Sequence, residues 1–552
     1  MHVLPFTYQP QGQDWLRILP ELILLAAALL VLLVDLALPQ RRKSALALVG
    51  VAGVVAAFVC AAIMIGAGDH QTAFAGMIFS DQTALLADLI ILFSAGLGLL
   101  LSPGYIERQG ITQQGEYYAL LLLAALGMMV MASAANLMIV FVGLEVLSLA
   151  LYVLSAFIVA RNRSQEAGMK YFILSSFASG FLLYGMALTY GATGQTSLQG
   201  IQRFLGGHAL ATTSGFGPLL IAGLGLMAVG FCFKVSAVPF QAWTPDVYAG
   251  APTAVTAFMS VGTKVAAFVA LARVFMVALH PVQTQWTPIL WAIAVLTMVG
   301  GNVLAATQRN VKRMLAYSSI ANAGYILVAV VTGTQTAFAA LLVYLASYAV
   351  MNIGAFGVVL ALERNDGLGT TLDDFAGLGR RRRGLAAAMA VFLFSLAGIP
   401  PLVGFAGKYY VFYAAIVGGH LELAIIGVLT SVIGMFYYLR VVWAMYFVEP
   451  QPATAPASVV VAPAPEPVLA ATTAGTSGGG SGGVALAEPA IATTSTATNT
   501  PAAAEPLTAQ PAHVTPGAWL ALALSLVLTI ALGIIPGGLF DLANRAASVL
   551  FH

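Results

Sequence analysis

Four charged residues lie deep inside stretches that are otherwise apolar: Glu145, Lys234, Lys264 and Lys408. A charge at mid-bilayer costs at least about 2.5–3.5 kcal/mol on insertion scales, so such residues face an interior and find partners. One carboxylate with three lysines could be a set of static ion pairs that fix helix packing. The choice of lysine argues for more. Arginine stays charged in any surroundings, whereas a buried lysine gives up its proton readily. Low dielectric disfavours the ammonium and a nearby carboxylate favours it, an exchange worth about 4–7 kcal/mol. Moving one charge through 100 mV takes about 2.3 kcal/mol. A lysine whose carboxylate partner approaches and withdraws can therefore load and release a proton, and Glu145 acting on Lys234 is the expected pair.

Helical spacing gives these charges polar neighbours. Glu145, Ser148 and Tyr152 share one face, and Thr253, Thr256, Ser260 and Lys264 another. Ser318, Asn322 and Tyr325 form a third stripe, and Tyr344, Tyr348 and Asn352 a fourth. The stripes could line a hydrated path or glue the bundle by interhelical hydrogen bonds. The remaining charges read as follows. Glu21, Asp35 and Glu422 sit near helix ends and are expected to reach the interface. Arg273 and Arg440 are expected to snorkel, and Asp246 to cap the element after the WTP turn. Asp88 is deeper, with no partner evident. Cys60 and Cys232 read as small hydrophobes, and His208 and His280 as solvated loop residues. No metal-ligand spacing occurs, so no metal is expected. Gly223-Leu-Gly225-Leu-Met-Ala228 matches a dinucleotide pattern but lacks the preceding strand, so close helix packing is the better reading.

The elements that must position these residues are membrane helices. Of 552 residues, 60% are hydrophobic and 8% charged, against about 25% charged in soluble domains. A soluble surface cannot be built from so few charges, which excludes a cytosolic enzyme. The net charge of +2 offers no basic field for nucleic acid. The chain reads as an all-α polytopic membrane protein. Cutting at polar and Gly/Pro signals gives fourteen spans of about twenty apolar residues. The first, from Ile18 to Leu38, is followed rather than preceded by Arg41, Arg42 and Lys43, so it is a retained helix. Alternate loops then carry almost all the lysine and arginine, among them Arg108, Arg161, Arg309, Arg364 and Arg380 to Arg383. The positive-inside rule therefore places both termini outside.

Two spans are too long and are broken, at Pro239 with Pro245 in the seventh and at Pro400-Pro401 in the twelfth. Freed backbone at membrane depth is tolerated where it is buried in protein or lines a wet cavity. Each break falls in the fourth of five spans, in spans 4–8 and 9–13, which suggests two inverted repeats. The organisation expected is three spans over 1–115, one repeat over 116–278, a second over 279–449, and a last span over 517–552. Residues 450–516, rich in Ala, Pro, Thr, Ser and Gly and lacking Lys and Arg, read as a disordered cytoplasmic linker.

The segments FKVSAVPFQAWTPDVYAGAPTAVTAFMSVGTKVAAF, GLEVLSLALYVLSAF, KRMLAYSSIANAGYIL and LDDFAGLGRRRR followed by SLAGIPPLVGFAGKYYVF resemble the antiporter-like membrane subunits of respiratory complex I, the NADH–quinone oxidoreductase. The resemblance covers about residues 15–449 and 517–541. Within that family the short stretch after the last span and Lys408 at the second break resemble the N-type branch rather than the L- or M-type.

The resemblance implies two inverted five-helix repeats with a half-channel and a broken helix in each. It implies Glu145 as coupling carboxylate, Lys234 and Lys408 at the breaks and Lys264 as the connecting lysine. It also implies that NADH, flavin, iron–sulfur clusters and quinone belong to partner subunits, with no cofactor in this chain. Partners would be the bilayer and other membrane-arm subunits, including a second antiporter-like one, in a bacterial inner membrane with both termini periplasmic. The alternatives are a multisubunit sodium/proton antiporter subunit, distinguished by redox-independent exchange, and a scaffold without transport.

Overall fold

A computed structural model describes residues 9–67, 71–207, 217–364, 367–449 and 514–551. The expected linker lies outside these residues except for its last three positions, as does His208. Among the described residues, thirteen helices are long and apolar enough to cross a membrane. Two shorter helices occupy the expected twelfth span. The protein is an all-α polytopic membrane protein, apart from one small antiparallel hairpin, β1 (Gln71–Ala73) and β2 (Ile78–Ser80), with Thr72 paired to Phe79.

The N-terminal helices are α1 (Gly12–Arg17), α2 (Leu19–Ala37), α3 (Leu46–Ala67) and α4 (Gln82–Arg108). Then come α5 (Gln114–Ala132), α6 (Leu137–Ser155), α7 (Asn162–Thr193), α8 (Leu198–Gly207), α9 (Gly217–Val235), α10 (Trp243–Gly250) and α11 (Thr253–Ala272). The second half holds α12 (Gln283–Ala306), α13 (Val311–Thr332), α14 (Gln335–Leu362), α15 (Leu378–Arg381), α16 (Arg383–Ala397), α17 (Val403–Val417) and α18 (Leu421–Phe447). After the linker come α19 (Pro516–Ile534) and α20 (Gly537–Phe551). The single last span expected over 517–552 is in fact these two helices. Pro536 disfavours helical geometry at Ile535 and ends α19 there, and α20 packs back, its Ala546 carbonyl accepting from Thr83 at 2.9 Å.

Polar side chains set the helix starts. Asp81 accepts from the Ala84 amide at 2.7 Å, Asn136 from Met138 at 2.9 Å and Asn310 from Arg313 at 2.9 Å. Glycines let helices touch. A Cβ on Gly127 would meet the Leu147 amide of α6 at 2.4 Å, and one on Gly143 the Met131 amide of α5 at 2.6 Å. The same reciprocal contact joins α12 and α13, where Gly301 faces Ala321 at 2.5 Å and Gly324 faces Met298 at 2.6 Å. Gly223 packs this way against α7, 2.8 Å from Thr189 Oγ1, whereas a Cβ on Gly225 meets nothing.

Helices α11, α13 and α14 form the buried centre, and α2, α3, α7, α18 and α19 the apolar outside. Loop contacts sort the bundle into two ends. At one, Arg161 reaches Glu363, Lys170 and Arg313 reach Asp246, and Asn310 pairs with Thr371. At the other, Asn136 pairs with Ser197, Asp81 with Arg273, and Trp291 with Glu422. The basic loops share the first end. Helix α1, through Arg17 to Thr72, and helix α20, through Ala546 to Thr83, share the second.

Candidate functional site

Two helices end where the chain expects prolines. Helix α9 stops at Val235, followed by Ser236 at φ +66°, and α16 stops at Ala397, followed by Gly398 at φ +88°. The Val238–Pro239 and Pro400–Pro401 peptide bonds are cis. Both ends close in the same turn. Ala237 N donates to Cys232 O at 2.8 Å and Ser236 N to Phe233 O at 3.0 Å; Ile399 N donates to Phe394 O at 3.0 Å and Gly398 N to Ser395 O at 2.9 Å. Glycine adopts this left-handed position freely, whereas serine does so at a cost. Ser236 is held there by Thr244, whose hydroxyl donates to it at 2.7 Å.

This turn leaves the last carbonyls of each helix without backbone partners. A lysine takes them in both cases. Lys264 Nζ, from α11, donates to Val235 O at 3.2 Å, and Lys408 Nζ, from α17, to Leu396 O at 3.0 Å and Ala397 O at 3.2 Å. A cation at the negative end of a helix dipole is well placed. Position for position Lys234 matches Leu396, so by role it is Lys264, not Lys234, that corresponds to Lys408.

Lys234 points elsewhere. It lies in the last turn of α9 and donates to Ser148 Oγ at 2.7 Å and Tyr171 OH at 3.2 Å. Ser148 spends its own proton on the Leu144 carbonyl, which leaves its lone pairs for the ammonium. The Tyr171 ring lies 5.2 Å from Nζ and stacks on Trp243 at 4.6 Å. Glu145 sits one turn before Ser148, with Oε1 buried and lacking a hydrogen bond. Ser148 is the direct hydrogen-bond partner of Lys234, and Glu145 lies within electrostatic reach of it. Tyr152 sets its ring edge against Tyr171 at 4.9 Å, and its buried hydroxyl lacks a partner.

From Lys264 the polar groups continue into the second half. Lys264 donates to Ser319 O at 2.7 Å, and Tyr348 OH to Ser319 Oγ at 2.8 Å. Asn352 Nδ2 donates to Ser260 Oγ at 2.7 Å. Asn322 accepts from Tyr344 at 2.7 Å and donates to Ser318 O at 2.8 Å; Ser318 shares a short hydrogen bond with Tyr438. The neighbouring Tyr437 donates to Asn302 at 3.2 Å, which donates to Tyr325 OH at 3.0 Å. Lys408 Nζ lies 4.9 Å from the centre of the Tyr325 ring. The second, third and fourth expected stripes thus meet through hydrogen bonds, and the first approaches them through Lys234, whose neighbour Val235 accepts from Lys264. Sequence reasoning missed Tyr171, Asn302, Ser319, Tyr437 and Tyr438; the available signal was polar residues inside otherwise apolar helices.

Several charges lie other than expected. Arg273 does not snorkel; it is 1% exposed and forks onto Asp81 at 2.8 and 2.6 Å. Asp246 binds Lys170 at 2.9 Å and Arg313 at 3.0 Å instead of capping. Glu21 is buried rather than at an interface. Arg440 donates to the Ala306 and Gln308 carbonyls at the end of α12. Asp35 pairs with Lys43 at 3.0 Å, and Asp88 is buried with Oδ1 unpartnered. Cys232 is buried and Cys60 only partly so. Among the described residues no three His, Cys, Asp or Glu side chains come together as metal ligands.

This architecture, buried lysines closing interrupted helices inside an apolar bundle, is that of a membrane ion-translocating subunit. Residues 134–434 match the family described as NADH:quinone oxidoreductase/Mrp antiporter, transmembrane. The NADH-quinone oxidoreductase subunit N of Trichlorobacter lovleyi is 46% identical over 430 residues, 78% of this chain and 87% of that protein. A chain of Thermus thermophilus respiratory complex I superposes with a TM-score of 0.71 at 30% identity, covering 95% of this chain and 98% of that one. A chain of the Mrp complex from Dietzia sp. shares the fold, with a TM-score of 0.74 at 22% identity over 98% of this chain and 97% of that one. The chain belongs to the antiporter-like membrane-subunit family of NADH:quinone oxidoreductases and Mrp antiporters.

Proposed function

We propose that protons cross this subunit along the row joining Glu145, Ser148 and Lys234 to Lys264 and, through Tyr348, Asn322, Tyr438 and Tyr325, to Lys408. The chain is a proton-translocating membrane-arm subunit of NADH–quinone oxidoreductase, without a redox-cofactor motif of its own. It works within a multisubunit complex in a bacterial inner membrane. Electron transfer takes place in partner subunits, a second antiporter-like chain is among the other membrane-arm partners, and both termini face the periplasm. The observation that carries this reading is the pair of matched helix ends, each closed by a buried lysine. A lysine that changes charge there acts on a helix end rather than on a passive wall. The reciprocal-glycine pairs α5–α6 and α12–α13 are the first two spans of each expected group of five, which supports two repeats at 116–278 and 279–449, with breaks at Pro239 and at Pro400-Pro401.

The test is proton translocation per NADH oxidised in inverted membrane vesicles. Lys264→Ala is expected to lower that ratio clearly while a native gel still shows the chain in an NADH-oxidising assembly. An assembled variant with the wild-type ratio refutes the reading. Sodium-dependent exchange without NADH would favour the antiporter alternative.

A further inference from the structure

Proton transfer needs a route from the aqueous face, and the basic-loop end of the bundle carries a buried carboxylate that the row above does not use. Glu363 follows the last turn of α14 and is 2% exposed. Its Oε1 accepts from Arg161 Nη1 at 3.0 Å and from Tyr105 OH at 3.3 Å, and its Oε2 from the Thr253 hydroxyl in a short bond. Arg161, itself partly exposed, also holds Gln109 at 2.5 Å. Other charges face the carboxylate. Lys312 on α13 and Arg108 on α4 both lie within electrostatic reach, Arg382 lies beside Arg108, and Arg364 is its chain neighbour. Cations outnumber the single carboxylate, so the cluster is more than one balanced pair.

Its placement matters more than its charge. Thr253 is the first residue of α11, whose polar face runs through Thr256 and Ser260 to Lys264. Glu363 therefore stands where that face meets the basic-loop end. Helix α14 carries the matching rung, Asn352 donating to Ser260 at 2.7 Å. Steps of three or four residues along α11 rise about 4.5–6 Å, a gap one bridging water spans.

We infer that Glu363 is a proton-uptake residue for Lys264, gated by Arg161. When Arg161 turns toward water, the carboxylate takes a proton from the aqueous side on an oxygen. It passes a proton to the Thr253 hydroxyl, which gives its own to the next acceptor on the α11 face and ends unchanged. When Arg161 returns, the restored pair closes the route. The inference rests on Lys264 being a proton carrier.

The experiment uses inverted vesicles holding the complete complex and compares Glu363→Gln, Arg161→Gln and Lys264→Ala across pH. Glutamine keeps the shape of glutamate and still accepts hydrogen bonds, but does not carry a proton. Glu363→Gln is expected to assemble, to keep NADH oxidation, and to lose the same share of protons per NADH as Lys264→Ala. Arg161→Gln, which leaves the route unclosed, is expected to lose part of that share by back-flow and to move the pH profile to higher pH, because removing a cation beside a carboxylate favours its neutral form. An assembled Glu363→Gln with wild-type yield, beside a deficient Lys264→Ala, overturns this inference alone. A wild-type yield in Lys264→Ala overturns the proton row itself and this inference with it. If Glu363→Gln does not assemble, an unmoved profile in Arg161→Gln overturns the inference and a moved one supports it. Failure of both to assemble makes the cluster a structural staple and overturns it.

Discussion

The pair formed by Arg273 and Asp81 gives a stability prediction whose size follows from geometry. The guanidinium forks onto Asp81 at 2.8 and 2.6 Å, its Nε donates to Ala132 O at 3.0 Å, and it lies 4.7 Å from the Phe79 ring centre. The pair ties the end of α11 to the start of α4, across 192 positions. Removing one partner of a buried pair leaves an uncompensated charge and costs about 3–5 kcal/mol, whereas replacing both with apolar or neutral groups is near neutral. Arg273→Met is therefore expected to lower the folded-to-unfolded ratio by about a hundred- to a few-thousand-fold, at about 1.4 kcal/mol per tenfold. Asp81→Asn should cost a similar amount, and asparagine keeps the cap on Ala84. The double variant should recover most of the loss. The assay is thermal unfolding of the detergent-solubilised chain, read with its yield in the membrane. A double variant as damaged as the sum of the two singles would show that the pair is not coupled, and wild-type stability in either single would refute the argument outright.

Two further predictions bear on the row. Glu145→Gln keeps shape but removes the charge near Ser148 and Lys234; it is expected to leave assembly intact and to reduce protons per NADH in vesicles, and an unchanged ratio would remove Glu145 from the row. Gly404→Ala places a Cβ 1.9 Å from the Ser395 carbonyl, on the far side of the second interruption. Overpacking of this kind costs about 1–3 kcal/mol or more, so the native gel should show reduced assembly, while Gly225→Ala, which meets nothing within 4 Å, should assemble normally.

What the sequence made legible was whatever a single helix determines by itself. Apolar length located the spans, and proline located the interruptions, because each acts through its own backbone. The rarity of charge inside α9, α11 and α17 picked out Lys234, Lys264 and Lys408. What was not legible depends on which distant helix a side chain faces. Glu363 meets Thr253 across 110 positions, and Tyr438 meets Ser318 across 120. Spacing sets the face of a residue but not the neighbour of that face. Arg273 looked like a snorkelling residue near a helix end for the same reason: its partner was on α4, far away in the chain.

The same limit bears on Lys234 and Lys408. Both flank a proline-bearing interruption, but one lysine stands before its proline and the other after, so the sequence matches the two breaks only weakly. Equivalence is set instead by the carbonyl that each ammonium satisfies. Val235 and Ala397 hold the same position in the same closing turn, and the cations upon them are Lys264 and Lys408. Lys234, with its hydroxyl partners Ser148 and Tyr171, is extra to this symmetry. The two halves of the row therefore differ in kind. In the first, a lysine held by hydroxyls stands one residue from a helix end capped by a second lysine; in the second, one lysine caps the end alone. A charge change at Lys264 or Lys408 acts directly on the helix end it caps, because the carbonyls there lack backbone partners. A charge change at Lys234 acts first on Ser148, and through the turn between them on Glu145. The half of the protein that contains Glu145 is thus the half with a hydroxyl step between its carboxylate side and its helix-end lysine.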